Sequence, residues 1–449
     1  MKTFLLIVVI GWFAVGVLPG KEPPKKSKTV EGIVARISES HIQEVVEKLV
    51  SFGTRHTLSD TASPVRGIGA ARRWIKSEFE RHAAGSGGRM TVAFHESIVP
   101  PSARVPQPTN VVNVVATLAP WQQDPTRRLL VVGGHYDSRA SDPMNAESDA
   151  PGANDDGSGV ALVLELARVM ASMTLDATVV FIAFAGEEQG LLGATQWAEM
   201  ARREGWSVEA MLNNDIVGSS RGGDGSVEAG YVRLFSEAYS PTDTGAVFRM
   251  RNSLGLENDG LSRNLARTIH DVAALYVPAF EVRMVYRRDR FLRGGDHSPF
   301  HGRGFAAVRF SVARENYDWQ HQDVRSEGGK EYGDLPKFMD FEYCANVARA
   351  NAAALATLAL APAPPQGVGI VTSQLEYETT LRWKKGTESD LAGYYVRYRA
   401  TTSPTWEHTV FTTDTTITLK ALKDDYLFGV QAVDNEGNAS LSSIPRPVR

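Results

Sequence analysis

Five short, almost wholly apolar runs dominate the middle of this chain, and they restrict its fold more than any other feature. They are NVVNVVATL (110–118), RLLVVGGHYD (128–137), ATVVFIAFAG (177–186), AMLNNDIVG (210–218) and FAAVRFSV (305–312). Between several of them, apolar residues recur at three- and four-residue spacing, as in GVALVLELARVMASM (159–173) and SRNLARTIHDVAALYV (262–277). The short runs read as strands and the longer period as helices. Alternating strands and helices predict an α/β layer fold with a largely parallel mixed sheet. Strands that are apolar on both sides of the pleat fit a sheet with helices on both faces. Helical spacing also fills residues 29–85, in HIQEVVEKLVSFG and GIGAARRWIKSEFERHA.

A chain of 449 residues exceeds what one core usually carries, so two domains are expected. The boundary reads from APAPP (361–365), a stiff linker. Residues 29–360 form the α/β unit. Residues 366–449 change texture to short β-type runs such as GYYVRYRA and YLFGVQAVD, parted by turns such as DNEGN. They predict a small all-β sandwich. Trp383, the run Tyr394–Tyr398 and YLFGVQAVDNEGNAS resemble a fibronectin type III domain, with Tyr426 as its tyrosine-corner residue. Nothing in the sequence requires this module to pack on the catalytic edge. The Gly-rich SSRGGDGS (219–226) reads as a loop at a site rim.

The N-terminus has Lys2, then the apolar run FLLIVVIGWFAVGVL (4–18) and small residues around it. This describes a signal peptide over 1–20 and an exported protein, periplasmic or secreted, with an uncleaved anchor as the alternative. The single cysteine, Cys344, cannot form an intrachain disulfide and reads as a small buried hydrophobe in an Ala-rich helix. With 43% hydrophobic and 22% charged residues and a net charge of −4, the chain lacks a nucleic-acid-binding footprint.

Polar residues follow the strand runs in a consistent way. His135 and Asp137 follow the second run, Glu187 and Glu188 the third, and Asp215 lies at the end of the fourth. Asp155 and Asp156 stand just before a helix, and His321 lies beyond the fifth run. Each has an ordinary reading alone: a strand-end histidine, an N-cap pair, a solvated turn, a loop aspartate, a surface histidine. Together they fall on one edge, because the C-terminal ends of parallel strands share an edge and ligands bind there. So many carboxylates in one place repel one another. A cation removes that repulsion, and zinc takes this mixture of imidazole and carboxylate.

GGHYDS, GANDDGSG, AGEEQGLLG, NNDIVG and GGDHSPF…HQD, in this order, resemble family M28 of zinc peptidases, which includes secreted bacterial aminopeptidases. The resemblance spans about residues 40–360. It implies a phosphorylase/hydrolase-like α/β fold and two zinc ions. Asp155 would bridge the metals, His135 and Asp215 complete one site, and Glu188 and His321 complete the other. Glu187 would be the general base and Asp137 would orient His135. A cis peptide is implied at Asp155–Asp156. Peptides with a free N-terminus are the implied substrates. The sandwich domain could contact a cell surface or a glycan. The sequence departs from many relatives at Gln320 and Gln322, which flank His321. Tyr317 reads either as an oxyanion partner or as packing, Asp296 as support for the ligands, and His297 as structural. A glutaminyl cyclase, a carboxypeptidase and a non-catalytic adhesion protein are the alternatives. The intact DDGSG stretch argues against the cyclase, and the retained ligands and base argue against the adhesion protein.

Overall fold

The computed structural model describes residues 25–122, 127–373 and 375–449. The signal-peptide reading of residues 1–20 lies outside them. The first unit is an eight-stranded mixed sheet. Its strands are β1 (Met90–Val99), β2 (Thr109–Leu118), β3 (Arg128–His135), β4 (Thr178–Phe184), β5 (Ser207–Asn214), β6 (Tyr231–Ser236), β7 (Glu281–Val285) and β8 (Ala307–Val312). Their order across the sheet is β1-β2-β4-β3-β5-β8-β6-β7. The four central strands, β4, β3, β5 and β8, run parallel to one another. Antiparallel pairings attach β2 and β1 on one side and β6 on the other.

The central strands are buried on both faces. Val179, Phe181 and Ala183 of β4 join one apolar cluster, while the alternate residues Val180, Ile182 and Phe184 join another. This is the period-two pattern expected of a strand between two helical layers. The larger layer contains α1 (Lys28–Ala35), α2 (Glu39–Val50), α3 (Gly67–Ala83), α4 (Gly157–Met170), α7 (Leu261–Tyr276) and α9 (Phe341–Leu360). The smaller layer is built on α5 (Leu192–Arg203) and α8 (His297–Gly302), where Trp197 and Phe300 pack 5.4 Å apart. The exposed α6 (Gly245–Ser253) buries no residue. In α9, buried alanines bring neighbouring helices close, and Cys344 is one of the buried small residues.

A small hairpin of β9 (Arg325–Glu327) and β10 (Lys330–Tyr332) follows β8. After α9 come β11 (Gly369–Val371), β12 (Thr379–Arg382), β13 (Leu391–Ala400), β14 (His408–Thr412), β15 (Thr416–Leu419), β16 (Tyr426–Asp434) and β17 (Arg446–Val448). They form two sheets, β15-β12-β11-β17 and β14-β13-β16, that enclose Leu381, Trp383, Tyr394, Val396 and Val430. Tyr426 opens β16 but does not form the expected corner. Among the described residues its hydroxyl makes no hydrogen bond to the chain upstream, and the ring instead packs edge-on against Tyr398.

The sandwich docks on the first unit through charge as well as apolar contact. Asp259 accepts from Arg267 at 3.1 Å and from Arg399 of β13 at 2.8 Å, with all three side chains buried. Arg397 pairs with Asp271 at 2.9 Å, and Asn264 donates to the Ser442 carbonyl. The Pro-rich segment is also fastened: Arg128 donates to the Ala361 carbonyl, and the Ala363 amide donates to Glu388. Among the described residues no helix is long and apolar enough to cross a membrane.

Candidate metal centre

The sheet topology gathers the predicted residues at one edge. His135 ends β3, Glu187 and Glu188 follow β4, and Asp215 follows β5. Asp155 sits in the turn that leads into α4, and His321 lies in the loop after β8 with a left-handed φ of 55°. The Asp155–Asp156 peptide is cis. The two aspartates have separate tasks. Asp156 is the N-cap of α4: its Oδ1 accepts from Gly159 N at 3.0 Å and its Oδ2 from His135 N at 3.0 Å. Only a glycine fits at 159, because a Cβ there would lie 2.1 Å from the Asn214 carbonyl oxygen. The helix start is thereby pressed against β5, and Asp155 is turned to the outside of the cap.

Asp155 faces two groups. Its Oδ1 lies 3.2 Å from His135 Nε2, and its Oδ2 lies 2.9 Å from His321 Nε2. His135 Nε2 also stands 3.9 Å from Asp215 Oδ1, and His321 Nε2 stands 2.9 Å from Glu188 Oε1. Donor atoms of His135, Glu187 and Asp215 fall within 4.8 Å of one another, as do those of Asp155, Glu188 and His321. His135 Nε2 and Glu188 Oε1 are buried and, among the described residues, make no hydrogen bond despite these short separations. Atoms that are close but misaligned point into a shared space rather than at each other. Imidazole nitrogen with carboxylate oxygen is a zinc donor set.

The electrostatics agree. Burial, with repulsion from Asp215, Glu188 and Asp296, holds the Glu187 carboxyl well above the usual carboxylate range. Burial also raises Asp156 and Asp215, and it pushes Asp296 to about 8. Asp155 moves the other way: against its burial, His135 and His321 hold it well below the usual value. A cluster crowded in this way is relieved by bound cations.

Asp137 meets the His135 ring through both its carbonyl and its carboxylate. The His135 Nδ1 atom is 3.1 Å from the Asp137 carbonyl oxygen and 3.5 Å from the carboxylate Oδ1. The backbone therefore makes the shorter contact to the ring. The carboxylate accepts the amides of Glu187 and Glu188 at 3.2 and 3.1 Å and the Thr57 hydroxyl at 3.1 Å. Gln320 donates to Asp155 Oδ2 at 2.9 Å. Tyr317 is 65% exposed and lines the cavity, so it is not a packing residue. His297 is buried, with Nε2 2.9 Å from the Arg288 carbonyl, in keeping with a structural role. Both carboxyl oxygens of Asp296 are buried without a hydrogen bond among the described residues. SSRGGDGS does not line the cavity; it closes on itself through an Arg221–Val227 bridge.

Sequence reasoning missed three supporting residues. Arg309 is fully buried and donates to Asp215 Oδ1 at 2.7 Å and to the Gly294 carbonyl at 2.8 Å. Its signal was a lone arginine inside the apolar FAAVRFSV. Arg55 is also fully buried and donates to the Tyr136, Pro151 and Gly152 carbonyls, which shapes the loop between His135 and Asp155. Asp334 accepts the amides of Asn154 and Asp155. These two come from distant segments and carry no local pattern. A separate group, His41, Glu78 and His82, also lies within metal-binding distance, but Arg81 already bonds Glu78 there.

A parallel-sheet edge that converges imidazole and carboxylate donors beside a further glutamate defines a zinc-dependent hydrolase. The chain belongs to peptidase family M28: the family profile matches residues 113–324, and a fibronectin type III profile matches residues 363–448. A probable zinc metalloprotease of Leptosphaeria maculans is 43% identical over 425 residues, covering 94% of this chain and 98% of the relative. A probable zinc metalloprotease of Pyrenophora tritici-repentis is 42% identical over 424 residues, covering 93% and 97%. Among solved structures, the LapA aminopeptidase of Legionella pneumophila shares the fold with a TM-score of 0.52 at 20% identity, over 76% of this chain and 78% of that one. The protein is a zinc metallopeptidase with a C-terminal fibronectin type III domain.

Proposed function

We propose that the protein is an exported di-zinc aminopeptidase that removes residues from the free N-terminus of peptides. One observation carries the two-metal reading: the oxygens of Asp155 diverge, Oδ1 towards His135 and Oδ2 towards His321. A single carboxylate placed in this way can serve two ions. His135, Asp155 and Asp215 would hold one ion, and Asp155, Glu188 and His321 the other. Zinc in such a site supplies Lewis-acid activation of water and of the scissile carbonyl. Glu187, whose carboxylate shares the His135 and Asp215 side of the centre, would accept the proton of the attacking water and deliver it to the leaving amine. Asp137 holds the turn that carries Glu187 and Glu188 through two backbone amides. Exopeptidase cutting at the N-terminus draws support from the family and from the aminopeptidase that shares the fold.

The N-terminal segment would direct export, and the sandwich domain would serve as a contact module for a cell surface or a glycan. The activity reading is tested with unblocked aminoacyl anilides, N-blocked peptides and N-terminal glutaminyl peptides, offered to the zinc-loaded full chain. Release of the anilide from unblocked substrates supports the aminopeptidase. Cyclisation of the glutaminyl peptide alone supports the cyclase, cleavage of the N-blocked peptides alone supports a carboxypeptidase, and no turnover of any supports the adhesion protein.

A further inference from the structure

The cavity over the metal centre has a volume of about 510 Å³ and is lined by thirteen residues, of which only Leu191 and Tyr317 are hydrophobic. That volume is in the range of small-ligand pockets, but such pockets are mostly apolar. This one has four arginines: Arg104, Arg139, Arg290 and Arg293. They come from three different connections, after β1, after β3 and after β7. The lining acids are Asp155, Glu187, Glu188 and Asp215, and all four already belong to the proposed ligand and base set. No lining carboxylate remains to pair with a lysine or arginine side chain of a substrate.

The arginines are not equally engaged. Arg290 is committed to the protein: it bonds Asp289 at 3.0 Å, Glu315 at 3.0 Å and the Gly294 carbonyl at 3.2 Å. Arg293 bonds Glu315 through Nη1 alone at 2.7 Å, and its side chain is 32% exposed. Arg104 is exposed and, among the described residues, bonds only the Glu188 carbonyl, through Nη1 at 2.7 Å. That bond fixes it over the turn that carries the proposed base. Arg139 places Nη1 3.8 Å from Glu188 Oε2. Arg104 and Arg293 therefore keep Nε and Nη2 for a ligand. A guanidinium with two free donors is matched to a carboxylate, which it binds in a bidentate fork.

We propose that Arg104 and Arg293 form a carboxylate-binding subsite beside the metal centre, and that this peptidase prefers substrates with a carboxylate next to the scissile bond. The proposal rests on the peptidase reading above. The carboxylate could be the side chain of a glutamyl or aspartyl residue or the C-terminus of a short peptide. Both present the same chemistry to the arginines.

Three measurements on the zinc-loaded full chain test the proposal. The first compares kcat/KM for glutamyl, leucyl and lysyl anilides. The second compares unblocked dipeptides ending in leucine with a free carboxylate or as the amide. The third titrates glutarate, which has no amine and no scissile bond, by calorimetry. All three are repeated with Arg104→Gln and Arg293→Gln, after zinc content and melting temperature have been matched to wild type. Glutamyl anilide is expected to exceed leucyl by about 10- to 100-fold, with lysyl lowest, and each variant is expected to erode the ratio mainly through KM. If the free C-terminal carboxylate is favoured instead, and the variants erase that preference, the subsite holds the peptide's terminus. Weaker glutarate binding in the variants without hydrolysis of any substrate supports the subsite and removes the peptidase reading. Efficient cleavage of leucyl or lysyl anilide, with no acidic preference and with glutarate affinity unchanged in both variants, overturns the proposal and leaves the peptidase standing. No hydrolysis and no effect of the variants on glutarate overturns both.

Discussion

Asp137 Oδ2 accepts the backbone amide of Glu188 at 3.1 Å, and this bond ties the end of β3 to the turn after β4. Oδ1 does the same for Glu187 at 3.2 Å. One carboxylate thus sets the direction in which two adjacent glutamates leave the strand. An amide in its place keeps one acceptor and turns an N–H₂ group towards an amide donor. Asp137→Asn is expected to lower zinc affinity by about 10- to 100-fold, as is usual for groups that orient ligands. Competition with a chelator reads this directly, and unchanged affinity would show that the turn holds its shape without the carboxylate.

Glu187→Gln is expected to keep the metal and to lose turnover by about 10²- to 10⁴-fold, because the amide preserves size and takes no proton. Glu188→Gln is expected to fail differently, by losing zinc. Metal analysis with initial rates separates the two. A Glu187→Gln enzyme of normal activity would remove Glu187 from the mechanism.

Removal of residues 366–449 is expected to spare the turnover of a small aminoacyl substrate, since no residue lining the catalytic cavity comes from that segment. Stability will fall, because Asp259 loses Arg399 and Asp271 loses Arg397. Asp259 keeps Arg267 and is opened to water, so the loss falls below the roughly 3–5 kcal/mol of a charge left buried and unpaired. A thermal melt and a rate measured below the new melting temperature check both parts. A soluble, zinc-loaded truncation with no activity would mean that the sandwich completes the site.

Acid will weaken the fold through His82 of α3. Its ring is buried, Nε2 has no hydrogen-bond partner among the described residues, and its pKa is pushed down to about 4 by burial and by the nearby charges of Arg81, His41 and Arg168, against Glu165. Unfolded histidine takes its proton near pH 6.5. Between about pH 6.5 and 4 the unfolded chain therefore binds more protons. The stability is complete above 6.5, falls as the pH drops to 4, and levels below that. His82→Leu is expected to flatten this part of the melting-temperature profile, and an unchanged slope would assign the acid loss elsewhere.

The central sheet was legible because β3, β4, β5 and β8 are buried on both faces, so their sequences are continuously apolar. Of the flanking strands, β2 was legible as the run 110–118, but β1, β6 and β7 were not. Exposed residues interrupt β1, as in TVAFHES, and β7 is the short EVRMV with exposed Glu281 and Arg283. The predicted ligands were legible because a parallel sheet turns strand order into spatial order. What holds them was not. Arg55 and Asp334 act on loops far away in sequence, and the two amide bonds that Asp137 accepts, beyond its expected place beside His135, are backbone contacts that no side-chain pattern records. The docking of the sandwich was hidden for the same reason: Asp259 and Arg399 lie 140 residues apart.

Metal stoichiometry tests the central claim most directly. Full-length protein, freed of metal and titrated with zinc, is examined for metal content and activity at each step. Diverging oxygens on Asp155 predict about two zinc ions bound per chain, with Asp155→Asn impairing both. One tightly bound zinc at full activity, with no second ion taken up, would contradict the account.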